Sequence, residues 1–331
     1  MSRSVLVTGA AGFIGAHVAR HCVELGFHVV GLDDLSAGFR TNLPEKVEFV
    51  HGSINDPALI TRLFEQHHFR FVYHLAGYEA AGLSHFIRRL NYQTNVLGSV
   101  NLINEAVKHE IECFVYASSI TVYGAGRTPM TEDQPLVPKD PCGISKYTVE
   151  LDLRAAHEAF GLSYIVFRMH NVYGELQNIG DRHRNVIGIF MNQVMEGGPM
   201  TIFGDGTQTR AFTHVDDVAP TMARAPSVES AYNQVFNIGA DRAYSVLEAA
   251  REVARAFNIH PRVQNVPARY EVNHAFCKHD KLSRHFGATQ PLTLEQGVAR
   301  MAQWAKRRGP AQPAKFADFE LRKGLPPSWD V

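Results

Sequence analysis

Gly9, Gly12 and Gly15 stand three residues apart, directly after the apolar run Val5-Leu6-Val7 and at the head of a helical pattern. In the order strand, glycines, helix, the first glycine permits a tight turn and the second lets the main chain approach a pyrophosphate. The third lets helix and strand pack closely. The helix N-terminus adds unpaired N–H groups and the positive end of its dipole for the phosphates. Asp33 closes the next apolar run, and no arginine follows it until Arg40. A carboxylate there accepts from the adenosine ribose hydroxyls and repels a 2′-phosphate, so NAD is favoured over NADP. The expected cofactor set is Gly9, Gly12, Phe13, Ile14, Gly15 and Asp33. Ser53 and Ile54, after the third apolar run, extend it as polar contact and wall beside the adenine. Leu75, Ala76 and Gly77 end the fourth run, where small residues allow close approach of the cofactor.

These residues need a parallel sheet to hold them. The first half of the chain alternates short apolar runs with helical patterns, the signature of βαβ units. Strands are predicted at Val5–Val7, His28–Leu32, Val47–Val50, Phe71–Leu75, Phe114–Ala117 and Tyr164–Phe167, without the polar alternation of a half-exposed sheet. Helices are predicted at Ile14–Leu25, Asn91–His109 and Lys146–Phe160. Stretches 174–185 and 197–210 read as loops that build a binding surface. Val235–Ile238 reads as a strand returning to the sheet. Ser245–Ala256 and Leu294–Lys306 read as amphipathic helices, and 310–331 as a tail wrapping the surface. The expected fold is α/β, a doubly wound parallel sheet over 1–170 rejoined by 213–240. A smaller substrate-binding portion comprises 171–212 and 241–331.

Composition narrows the function classes. Lys+Arg and Asp+Glu both number 33, so no global field favours nucleic acid or an anionic membrane. The 17 histidines and four cysteines lack metal-ligand spacing, so no metal site is expected. No run approaches the roughly 18 apolar residues of a membrane span, and the first strand begins too early for a signal peptide. A cytoplasmic setting is expected.

Four segments together carry a resemblance: Thr8 to Gly15, His74-Leu75-Ala76-Gly77, Ser118-Ser119-Ile120-Thr121-Val122-Tyr123-Gly124 and Arg168-Met169-His170-Asn171-Val172-Tyr173-Gly174. In this order they resemble extended short-chain dehydrogenases/reductases with a Rossmann-type fold, and within them nucleotide-sugar epimerases of the UDP-glucose 4-epimerase type. The resemblance runs to about residue 305. It implies that Ser119 hydrogen-bonds the reacting sugar hydroxyl, and that Lys146 belongs to a Tyr-x-x-x-Lys pair in which the ammonium lowers the tyrosine pKa and holds the nicotinamide ribose. The tyrosine position is Cys142. A thiol is shorter than a phenol and has a lower reference pKa, about 8.5 against about 10, which Lys146 is expected to lower further. Three readings stand open: Cys142 as a working acid/base; a relay through Ser119, Thr121, Tyr78, Glu79 or His170; or an impaired or altered Tyr→Cys protein.

The neighbours of Ser119 are Ile120-Thr121, where family dehydratases carry an Asp-Glu pair and decarboxylating members a Glu. Glu79 is a further departure, since epimerases of this type often carry a Lys near that point. On the substrate side the resemblance implies a nucleotide diphosphate bound by Asn171, by the helix start at Val186 and by Arg210 and Arg269. Thr201 and Phe203 would face the base and Glu271 the nucleotide ribose. The expected reaction is 4-epimerisation of a UDP-sugar through a transient keto-sugar in a homodimer. The rivals are a 3,5-epimerase or dehydratase using Cys142, and an impaired nucleotide-sugar binding protein.

Overall fold

Seven strands form one parallel sheet: β1 (Ser4–Thr8), β2 (His28–Asp33), β3 (Glu48–His51), β4 (Phe71–His74), β5 (Cys113–Ser119), β6 (Tyr164–Met169) and β7 (Gln234–Ile238). The structure is a computed structural model describing residues 3–269, 271–312, 319–326 and 329. Strand order is β7-β6-β5-β4-β1-β2-β3, so chain direction across the sheet reverses beside β1. Such a switch point opens a crevice at the carboxyl ends of the strands, where ligands bind in open α/β sheets. Val5 lies opposite Val29 on one side and Phe71 on the other. Both faces are buried, one core built around Val5, Val7 and Phe167 and the other around Leu6, Val72 and Phe114. Double burial is why these strands lack polar alternation.

The predicted strands hold with end shifts of one or two residues, and two helices differ more. The helix expected at Lys146 begins at Pro141 and runs to Phe160. Asp140 caps it by accepting from Gly143 N at 2.9 Å, and Pro141 occupies the first turn, where its missing N–H costs nothing. As a result Cys142, Lys146 and Glu150 share one helix face at four-residue spacing. The helix expected over Asn91–His109 is interrupted: Arg88–Tyr92 leads through a π-turn at Gln93–Leu97 into Gly98–Lys108. The widened turn presents Asn95, whose Oδ1 accepts from Tyr78 N at 2.7 Å and whose Nδ2 donates to Tyr78 O at 3.1 Å.

A third apolar core gathers the helices Val186–Met195, Val246–Ala256 and Leu294–Arg308. Ser245 and Thr293 cap the second and third in reciprocal boxes with Glu248 and Gln296. Beside them Met200–Phe203 pairs in parallel with Val263–Val266, and Thr209–Ala211 pairs with Ala243–Ser245 and His274–Ala275. No described helix is long and apolar enough to cross a membrane. The fold also gathers a trio the sequence separations hid: ligand atoms of His28, Glu48 and His67 lie within 4.8 Å of one another. His28 and Glu48 begin β2 and β3, so the trio lies at the strand ends opposite the crevice.

Candidate active site

The turn after β1 forms the floor of the crevice. Gly9 has φ +66°, and a Cβ there would lie 2.8 Å from Ala76 N. A Cβ on Gly15 would collide with the Gly9 carbonyl. Gly12 N donates to Gly9 O at 3.0 Å, and Phe13 and Ile14 open the following helix. Asp33 Oδ2 accepts from Ala11 N at 2.9 Å and Oδ1 from Leu35 N at 2.8 Å. Burial pushes its carboxyl above the ordinary value, against those two amides. The cradle therefore has a close main-chain floor and a fixed carboxylate at its ribose end, which fits a dinucleotide with free ribose hydroxyls. Ser53 is half-buried, whereas the Ile54 side chain is packed into the core against Gly98; the expected adenine wall is turned inward. Leu75 N bonds Thr8 O and Ala76 N bonds Thr8 Oγ1 at 3.2 and 3.1 Å. His74 bridges Thr8 Oγ1 and Ser99 Oγ, each at 2.8 Å. Burial, aided by Lys146, pushes His74 down to about 3, so it stays neutral.

Lys146 Nζ donates to Ala117 O at 2.8 Å and meets Glu79 Oε1 at 2.5 Å. Cys142 Sγ donates to Glu79 Oε2 at 3.5 Å. Glu79 thus receives the ammonium on one oxygen and the thiol on the other, while its own side chain is 39% exposed toward solvent. A Cβ on Gly77 would lie 3.2 Å from Glu79 Oε1 and 3.4 Å from Lys146 Nζ, so glycine gives this pair its room. Ser119 ends β5 and its Oγ accepts from Thr121 N at 3.3 Å, which leaves the hydroxyl proton to donate.

The expectation for the thiol is reversed. Burial, then the charges of Glu79 and Asp140, raise Cys142 well above a normal thiol, and Lys146 does not compensate. Cys142 is 2% exposed. The Lys146 ammonium is paired with Glu79, and the Cys142 thiol keeps its proton.

Across the crevice, the Asn171 backbone sits at φ +42° with its carbonyl accepting from Thr213 N. Its half-buried side-chain amide makes no hydrogen bond among the described residues. Val186 begins its helix as expected, capped by Asn185, which also donates to Val172 O. Thr201 N and Phe203 O already bond the side chains of Gln193 and Gln208, each at 3.0 Å. Thr201 O and Phe203 N point away from the Val263–Val266 strand. Glu271 joins the two expected arginines, 3.1 Å from Arg269 and 3.5 Å from Arg210. Arg210 also donates to Thr209 O, Asn273 O and Val272 O, so it knits the loop together. Arg269 instead lies 4.6 Å over the Phe203 ring.

Two residues escaped the sequence reading. Arg184 lies 4.8 Å over the Tyr78 ring and pairs with Asp181 at 2.8 Å; the i, i+3 spacing of the pair was the signal for it. Trp329, in the tail expected on the surface, is 8% exposed in an apolar cluster with Ala80, Leu83 and Ile87.

Fold and crevice define a dinucleotide-binding α/β enzyme with a Ser/Lys frame. Residues 5–239 match the model of the NAD dependent epimerase/dehydratase family. The chain is 31% identical to a putative UDP-glucose 4-epimerase of Methanocaldococcus jannaschii, over 91% of this chain and 98% of that protein. It is 33% identical to the UDP-glucose 4-epimerase of Neisseria gonorrhoeae, over 95% of this chain and all of that one. The crystal structure of the Thermotoga maritima UDP-glucose 4-epimerase with UDP-glucose aligns with TM-score 0.88 and 30% identity, covering 92% of this chain and 99% of that one. The Thermus thermophilus UDP-glucose 4-epimerase complex with NAD aligns with TM-score 0.84 and 28% identity, over 91% and 98%. The protein belongs to the NAD dependent epimerase/dehydratase family, and NAD is its cofactor.

Proposed function

We propose that the protein interconverts the 4-epimers of a UDP-hexose of the UDP-glucose/UDP-galactose type, with Glu79 handling the proton. The observation that carries this reading is the Glu79 carboxylate held between the Lys146 ammonium and the Cys142 thiol. Bound NAD supplies the reversible acceptance of a hydride from the sugar carbon. Ser119 donates to the reacting oxygen and orients it. Glu79 accepts the proton that leaves the sugar hydroxyl and returns it when the inverted hydroxyl forms, so no net redox change results. Lys146 holds Glu79 and the nicotinamide ribose, and the Cys142 thiol orients the carboxylate by donating to its second oxygen. Buried Ile120 beside Ser119 supports epimerisation over elimination, which needs an acid there. A neutral, 2% exposed Cys142 is poorly suited to abstracting a proton from carbon, which disfavours the 3,5-epimerase and dehydratase rivals.

The nucleotide half of the substrate is read onto Asn171, Val186, Thr201, Phe203, Arg210, Arg269 and Glu271, with the guanidiniums meeting the diphosphate. A homodimer is read onto the Gly98–Lys108 and Pro141–Phe160 helices, supported by Leu97, Ile144 and Leu151, which are 59%, 39% and 39% exposed; Leu151→Arg should give a monomer in analytical ultracentrifugation. Four free cysteines suit a reducing cytoplasm.

The test is NMR of UDP-glucose with protein and NAD in deuterated water. UDP-galactose should appear with no deuterium at any sugar carbon. Carbon-bound deuterium, or failure to convert any UDP-hexose, overturns the reading.

A further inference from the structure

The C-terminal strap lies beyond the matched family region, which ends at residue 239. It is nonetheless anchored on the segment that follows Glu79. Glu320 accepts from Arg89 N and Leu90 N at 2.7 and 2.9 Å, at the uncapped start of the Arg88–Tyr92 helix. The strap main chain also bonds the same segment, Glu320 N and Leu321 N both donating to Phe86 O. Further on, Trp329 N donates to Pro326 O at 2.9 Å. The indole meets the His183 ring edge-on at 4.8 Å, Phe86 at 6.0 Å and Phe203 at 6.3 Å. A Cβ on Gly82 would lie 3.3 Å from the indole and 3.7 Å from Arg269 Nη1, so the indole and the guanidinium both lie against this glycine.

These neighbours come from three places: the segment after Glu79, the loop before the Val186–Met195 helix, and the strand proposed to face the base. A residue that only anchored the tail would need none of the cleft side chains. We propose that Trp329 is a substrate-contacting residue, the outer wall of the nucleotide end of the cleft. It takes the base and ribose of a pyrimidine nucleotide against the Phe203 strand, and Glu320 sets its position. The inference rests on the nucleotide-sugar reading above. An indole supplies a large rigid face for a base at small entropic cost.

The chain has two tryptophans, so Trp304→Phe leaves Trp329 as a single fluorophore in the full-length protein. Titration with UDP should change its emission saturably, with the midpoint matching the Kd from calorimetry. Trp329→Ala should weaken UDP between about threefold and tenfold, and Trp329→Phe should recover part of the loss. Glu320→Ala, which leaves the indole intact, should weaken UDP in the same direction. Unchanged emission while calorimetry records UDP binding overturns the assignment and leaves the nucleotide site standing. Parental UDP affinity in Trp329→Ala does the same. Absence of any UDP heat overturns both readings.

Discussion

Glu79 and Lys146 meet at 2.5 Å in a slot where the family pattern leads one to expect a lysine facing a tyrosine–lysine pair. A carboxylate stands at position 79 and a thiol at position 142, four residues before Lys146. The two departures are coupled in space, because the carboxylate that one introduces receives the proton-bearing atom that the other leaves short. A lone carboxylate beside the nicotinamide would be expected to favour NAD⁺ over NADH. Paired with the ammonium, its field is that of a dipole and falls off faster.

The roles of Glu79 and Cys142 separate under mutation. Glu79→Gln keeps the shape and removes the proton acceptor, and should lower turnover by about 100-fold or more. Cys142→Ser keeps a donor to Glu79 and should stay within about tenfold of the parent. Steady-state NMR assays of both variants measure this; the reverse ranking would make the thiol the base.

The thiol carries its own signature. With Glu79 in place, Cys142 should resist iodoacetamide at pH 8, as should Cys22 and Cys277, both pushed up to about 12 by burial. Glu79→Gln removes the like charge and leaves Lys146 to act on the thiol. Labelling of Cys142 should then quicken several-fold while Cys22, Cys113 and Cys277 do not change. Peptide mass spectrometry resolves the four sites.

Stability should fall as pH drops below about 6.5. His74 and His170 are both pushed down to about 3, by burial first and then by Lys146 and His279 respectively. Above the unfolded-state pKa of about 6.5 neither state binds the proton. Between there and about 3 the unfolded chain takes up protons the folded one refuses. The loss is up to about 1.4 kcal/mol per pH unit for each histidine. His170 faces His279 at 2.9 Å, which is tied to Asp241 at 2.6 Å. His170→Gln should flatten the fall in Tm between pH 6.5 and 5 by about one proton's worth.

Cofactor choice rests on Asp33. Asp33→Ser removes the charge that would repel a 2′-phosphate, and binding of NADPH relative to NADH should rise. Some stability should go with it, about 1 kcal/mol for each lost bond to Ala11 N and Leu35 N. Fluorescence titration with the two reduced dinucleotides reads the first effect and thermal melting the second.

The two arginines should part company. Arg269→Ala should raise KM for the UDP-sugar about tenfold or more with little change in Tm, since its partners are the half-buried ring of Phe203 and the Glu271 carboxylate. Arg210→Ala should raise KM and lower Tm together, because three loop carbonyls lose their donor. Kinetics with parallel melting curves distinguish them.

Local sequence sufficed wherever a short stretch carries its own physics. Strand, glycines and helix stand within fifteen residues, and their steric demands at Gly9 and Gly15 depend on neighbours close in the chain or in the adjoining strand. The apolar runs announced a sheet buried on both faces, and Ser245 and Thr293 announced their helices by capping chemistry. Tertiary structure decided what depends on groups far apart in the chain. Sequence set Lys146 four residues from Cys142 and expected an acidified thiol. Only the fold brings Glu79 between them, and a charge 63 residues upstream turns the thiol pKa the other way. Ile54 lies next to an expected adenine contact, yet the close approach of Gly98 draws its side chain into the core. Trp329 read as part of a polar tail because burial is a property of the surface it lands on, and that surface is assembled from residues 80–87, 183 and 203. Dielectric environment, ion pairing and enclosure are sums over space, and periodicity along the chain does not carry them.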